Sequence, residues 1–73
     1  MVIEKLNYLV ECITQDLIKY LMEDNKITME EAMDIVYNSK TFELLNDFKT
    51  HLYYESSSYV YEYLKEELSG DNK

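Results

Sequence analysis

The side chains of this sequence that could carry out chemistry are one cysteine, one histidine and a run of three serines. Nucleophilic catalysis needs a nucleophile, a base that activates it and a group that orients the base. Cys12 with His51 would supply the first two, as would a serine of 56–58 with His51, and Asp47 would be an available orienting acid. No G-x-S-x-G turn or other catalytic motif surrounds the serines, so we predict that the protein is not an enzyme.

The acidic side chains are typical of a solvated surface rather than of a metal site. Glu30 with Asp34, and Glu62 with Glu66, stand four positions apart and would share a helical face. The sequence has neither a Ca²⁺-loop pattern nor a helical Glu-x-x-His. It also has no pair of Cys or His residues at zinc spacing. We therefore predict no metal ion and no cofactor.

The tyrosines are the remaining candidates for function, because the chain contains eight of them. A tyrosine side chain has an apolar body and a polar tip, which suits protein interfaces. Tyr63 is best placed for the core, whereas Tyr54, Tyr59 and Tyr61 are predicted to form an exposed aromatic surface. The alternative is that tyrosines replace Leu or Phe in a small core and direct their hydroxyls to water.

Hydrophobic periodicity predicts four helices that would position these side chains, at 2–23, 29–37, 40–46 and 58–68. The first carries an apolar stripe about 120° wide, the width of a core-facing helix face. The predicted inner face of the second consists of Met29, Ala32, Met33, Val36 and Tyr37, and that of the fourth of Val60, Tyr63, Leu64 and Leu68.

The helix starts have recognisable capping residues. Thr28 and Glu31 form a capping box, in which each side chain accepts a hydrogen bond from the other's backbone N–H. Ser39 or Thr41 is predicted to cap the third helix, and the serines at 56–58 the fourth. The segment 51–55, between the third and fourth helices, has no clear period and is predicted to be a packed loop.

Three hydrophobic residues of the first helix, Tyr8, Ile18 and Met22, lie away from its main apolar stripe. Scattered surface hydrophobic residues are normal and are one interpretation. The other is a contact surface for a second chain. We predict a homodimer in which these three residues, or the tyrosines near the C-terminus, form the contact.

Length and composition indicate one small domain at 1–70, followed by a frayed tail at 71–73. A chain of 73 residues buries a modest core and usually needs a disulfide, a metal or a partner for stability. Because Cys12 is the only cysteine, an internal disulfide is excluded. Association with itself or with another protein is therefore the expected source of additional stability.

The net charge of −8 excludes several classes of partner. Nucleic acids and anionic membrane surfaces attract basic proteins and would repel this one. The apolar runs are far too short to span a membrane, and the N-terminus lacks the pattern of a signal peptide. We therefore expect a cytoplasmic protein, and the single free cysteine fits that reducing compartment. The excess of acids suits a basic protein partner, or serves solubility alone.

Three segments resemble a family of short, uncharacterised helical proteins from Firmicutes and other gut bacteria. They are N-S-K-T-F at 38–42, K-T-x-L-Y at 49–53 and E-S-x-x-Y-V-Y-E-x-L-K-x-E-L at 55–68. The resemblance implies a stand-alone bacterial protein. Because some such families are encoded beside toxin–antitoxin genes, it also implies an antitoxin-like or adaptor role. No catalytic residue is carried over.

The sequence thus predicts an all-α bundle of one long N-terminal helix and three shorter helices. The predicted function is a non-enzymatic module that binds another protein or itself, with an antitoxin-like or regulatory role as its specific form. The alternative is a small-ligand or metal-binding regulator with a pocket near Tyr53, Tyr63 and His51.

Overall fold

The computed structural model describes residues 2–70, and the side chains of 5–70. It confirms the all-α bundle: one long helix is followed by three shorter ones, and no strand occurs within the described range. The elements in chain order are α1 (Val2–Asn25), α2 (Met29–Tyr37), α3 (Lys40–Asn46), two 3₁₀ turns (Phe48–Thr50 and Leu52–Tyr54) and α4 (Ser57–Leu68). The predicted tail at 71–73 lies outside the described residues.

The end of α1 lies two residues beyond its predicted position. The side-chain amide of Asn25 donates to the Leu21 carbonyl at 3.2 Å. Lys26 then adopts a left-handed conformation with φ 56°, and its N–H donates to the Met22 carbonyl at 2.9 Å. This backbone reversal stops the helix and satisfies one of its last carbonyls, the role usually given to glycine.

The predicted helix caps are confirmed. Glu31 N–H donates to the Thr28 hydroxyl at 3.2 Å, and Thr28 N–H donates to the Glu31 carboxylate at 3.0 Å. Ser39, rather than Thr41, caps α3, and Ser56 caps α4. These short-range hydrogen bonds explain why the starts of α2, α3 and α4 lie within one residue of their predicted positions.

One hydrophobic core joins α1 to every later helix and to the second 3₁₀ turn. Leu17, at the centre of the α1 stripe, is completely buried. The buried apolar residues are Val10, Ile13, Leu17, Ile18 and Leu21 of α1, Ala32 and Val36 of α2, Leu45 of α3, Leu52 and Tyr53 of the turn, and Val60, Tyr61 and Leu64 of α4.

The inner face of α4 differs from the predicted one by a rotation about the helix axis. Tyr61 is buried, whereas Tyr63 and Leu68 are substantially exposed. The predictions that Tyr63 fills the core and that Tyr61 is exposed are therefore wrong. The reason is a polar contact: the Tyr61 hydroxyl donates to Asp24 Oδ2 at 2.7 Å, and its ring packs against Tyr20 with centroids 5.1 Å apart.

Polar contacts fix both ends of α4 as well. The Ser57 hydroxyl donates to Asp16 Oδ2 on α1 at 2.6 Å. At the other end the Glu67 carboxylate accepts from Lys40 N–H at 2.7 Å, and from the N–H and hydroxyl of Thr41 at 2.9 Å each. Glu67 therefore caps the start of α3 from a distant part of the chain, where the helix dipole favours a negative charge.

Candidate protein-binding groove

The α1–α2 hairpin leaves an apolar groove along its outer side. The two helices are antiparallel and are joined by residues 26–28. The groove has a volume of about 530 Å³, and it is lined by Gln15, Ile18, Lys19, Met22, Met29, Met33 and Tyr37. We call this surface the methionine groove.

The α2 wall of the groove consists of side chains that were predicted to face the core. Ala32 and Val36 are completely buried, but Met29, Met33 and Tyr37 are 57%, 36% and 49% exposed. These three residues follow one another at intervals of four, so they form a stripe beside the buried one. The prediction that they belong to the inner face of α2 is therefore wrong.

The α1 wall contains two of the three residues that we predicted as a contact surface. Ile18 is only 9% exposed and belongs to the core, which corrects its predicted position outside the main stripe. Met22 is half-buried and packs against the same core. Tyr8 is exposed but is not among the groove residues. Ile18 and Met22 thus form part of the groove, and Tyr8 lies elsewhere on α1.

Each end of the groove is formed by residues of both helices. Because the helices are antiparallel, Met22 lies toward the same end of the groove as Met29, and Gln15 toward the same end as Tyr37. The Tyr37 ring is held in place by an edge-to-face contact with Phe42 of α3, with ring centroids 5.1 Å apart and planes at 86°. One end of the groove is therefore formed by flexible methionines and the other by a positioned aromatic ring.

Both rims of the groove carry acidic side chains. At about 100° per residue, Glu30 and Asp34 lie next to the exposed stripe of α2 on the side away from the core, and both are exposed. Lys19 and the neutral Gln15 line the α1 side. The same count places the exposed Glu11 and Glu23 on the α1 side, so both rims carry acids.

A second exposed aromatic surface lies on α4. The rings of Tyr59 and Tyr63 pack edge-to-face with centroids 5.4 Å apart, and their hydroxyl oxygens are 3.4 Å apart. Glu62 and Glu66 line the same shallow cleft of about 290 Å³. The contact with the Tyr63 hydroxyl raises the pKa of Tyr59. Tyr59 is exposed as predicted, but its neighbour in this surface is Tyr63 rather than Tyr61.

The three residues of the alternative pocket have different neighbours. The His51 ring lies 6.0 Å from that of Tyr53 and 6.3 Å from that of Tyr54. Tyr53 is buried and Tyr54 is exposed. Tyr63 lies with Tyr59 on α4, and within residues 5–70 no ring contact connects it with His51 or Tyr53. The structure thus brings His51 and Tyr53 together but does not add Tyr63 to them.

The residues considered for catalysis also contact different partners. Cys12 is exposed on α1, where a side-chain hydrogen bond with it raises the pKa of Tyr8. His51 has a left-handed backbone with φ 60° and packs on tyrosines. Ser56 and Ser57 are engaged in the cap and in the contact with Asp16. The absence of catalysis stays a prediction.

The exposed positions of three groove residues, Met29, Met33 and Tyr37, were not predicted from the sequence. One signal was available: the apolar residues of α2 cover a wider arc than a nine-residue helix can bury against one neighbour.

Within the described residues, no three His, Cys, Asp or Glu side chains form a group that could hold a metal ion. No described helix is long and apolar enough to cross a membrane.

Comparison of the chain with protein-family models, with curated proteins and with solved structures finds no match. The resemblance to short proteins of gut bacteria therefore stays a prediction.

Proposed function

We propose that this protein is a cytoplasmic, non-enzymatic interaction module whose methionine groove binds an α-helical segment of another protein. The observation that carries the proposal is the exposed stripe of Met29, Met33 and Tyr37 beside a floor formed by Ile18. Three large apolar side chains at helical spacing are exposed together, although the same helix buries Ala32 and Val36 completely. An apolar surface of this kind in a small protein is typical of a binding site.

The shape of the groove suits a helix. From Met29 to Tyr37 the stripe is about 12 Å long, at about 1.5 Å per residue. A partner helix covers that length with apolar side chains at positions i, i+4 and i+7, the usual pattern of a helix bound in a groove. Methionine adapts its shape to such side chains because it is unbranched and polarizable.

Each contact is modest in energy. Full burial of a methionine is worth about 1.5–3 kcal/mol, and a half-exposed side chain gains a fraction of that when it is covered. Association also costs translational and rotational freedom, and side chains at the interface lose mobility. The exposed stripe and the floor therefore have to act together to bind a partner.

Charge favours another protein over a second copy of this chain. Each copy carries a net charge of −8, so two copies repel one another at low ionic strength. In a homodimer, the acidic α2 rim of one copy would face the negatively charged surface of the other copy. The homodimer predicted from the sequence is therefore the competing occupant of the groove, and it is distinguished by the oligomeric state of the isolated protein.

An antitoxin-like or regulatory role is the specific form of this proposal. A small protein that covers a helix of another protein can hold it in one conformation or block its access to a third molecule. The resemblance of 38–42 and 55–68 to short proteins of gut bacteria supports that role.

The test is site-specific cross-linking in the native host. A photoreactive amino acid replaces Met33 in the groove or, as the matched control, Leu68, which is similarly exposed on α4. We expect one partner to be cross-linked from position 33 and not from 68, through a peptide with an amphipathic helical pattern. The purified partner should then bind one copy of this protein, and Met33→Glu should weaken that binding at least about tenfold, because it removes an apolar contact and places a carboxylate against the apolar face of the partner.

Two results would overturn the proposal. One is cross-linking of position 33 to a second copy of the chain, together with a dimer in sedimentation. The other is an equal cross-linking pattern from positions 33 and 68, because the groove would then have no special role.

A further inference from the structure

We draw no further inference here: the strongest candidate, the shallow cleft on α4 that is lined by Tyr59, Tyr63, Glu62 and Glu66, pairs two exposed tyrosines with exposed acids, and nothing in the described part of the chain points to a ligand that binds there.

Discussion

Two surfaces lie beside α1, the interface with α4 and the methionine groove, and they differ in how far their apolar residues are covered. On the side of α4, apolar residues are buried and polar contacts close the interface at Ser57 and Tyr61. On the outer side of α2, three large apolar residues remain exposed, and within residues 5–70 no polar contact closes the groove. The first interface is completed within the chain, and the second lacks a covering element among the described residues.

The difference separates apolar side chains that are buried in the fold from apolar side chains that stay exposed in the groove. The α4 interface needs its residues for folding, because burial of Val60 and Leu64 is complete. The exposed groove residues Met29, Met33 and Tyr37 contribute less to folding, because water already reaches them. Substitutions that compare the two surfaces therefore measure which of them stabilises the fold.

The largest expected effect on the free energy of unfolding is at the interface between α1 and α4. Leu64 is fully buried, so Leu64→Ala should lower the free energy of unfolding by about 2–5 kcal/mol through lost burial and a cavity. Urea denaturation measures this loss. The neighbouring Tyr63→Ala should cost less than about 1 kcal/mol, because that side chain is exposed. Equal losses for the two variants would contradict the observed rotation of α4.

The next effect concerns the polar contact between α4 and α3. Glu67→Gln removes the negative charge that accepts hydrogen bonds from Lys40 and Thr41, and should cost about 1–2 kcal/mol at neutral pH. Glu66→Gln is the matched control and should cost less than about 0.5 kcal/mol, because Glu66 is exposed.

The cost of Glu67→Gln should depend on pH. Partial burial acts to raise the pKa of Glu67, but the hydrogen bonds from Lys40 and Thr41 outweigh it and hold that pKa below the ordinary value of 4.5. A carboxyl with a lowered pKa in the folded state contributes its stability above the unfolded pKa, and loses it as the pH falls through the folded pKa. The difference between the wild type and Glu67→Gln should therefore disappear in acid. A difference that stays constant below pH 4.5 would exclude this carboxylate as its source.

The sequence predicts the helices of this fold well, because their signals are local. The capping box of Thr28 and Glu31 and the caps Ser39 and Ser56 act within three residues, and the bounds of α2 and α3 agree with prediction. The long-range contact of Glu67 was missed, although its place three residues after Leu64 puts it on the buried side of α4.

The rotation of each helix against the core is harder to predict. On α4, tyrosines at 59, 61 and 63 have similar hydrophobicity, so periodicity alone does not select the one that is buried. The contact of Tyr61 with Asp24 makes that selection, and it joins residues 37 positions apart. On α2, methionines and a tyrosine extend the apolar arc in the same way, and only the packing of Ala32 and Val36 shows which part is covered.

The smallest expected effect on stability is that of Met33→Glu. The side chain is 36% exposed and lines the groove, so a glutamate there can reach water, and the free energy of unfolding should change by less than about 1 kcal/mol. Ile18→Glu, on the floor of the same groove, is the contrast: it buries a charge and should cost several times more. Thermal and urea unfolding of both variants measure the difference. If Met33→Glu unfolds the protein as readily as Ile18→Glu, the groove is part of the core, and the contrast between a completed and an open surface of α1 is wrong.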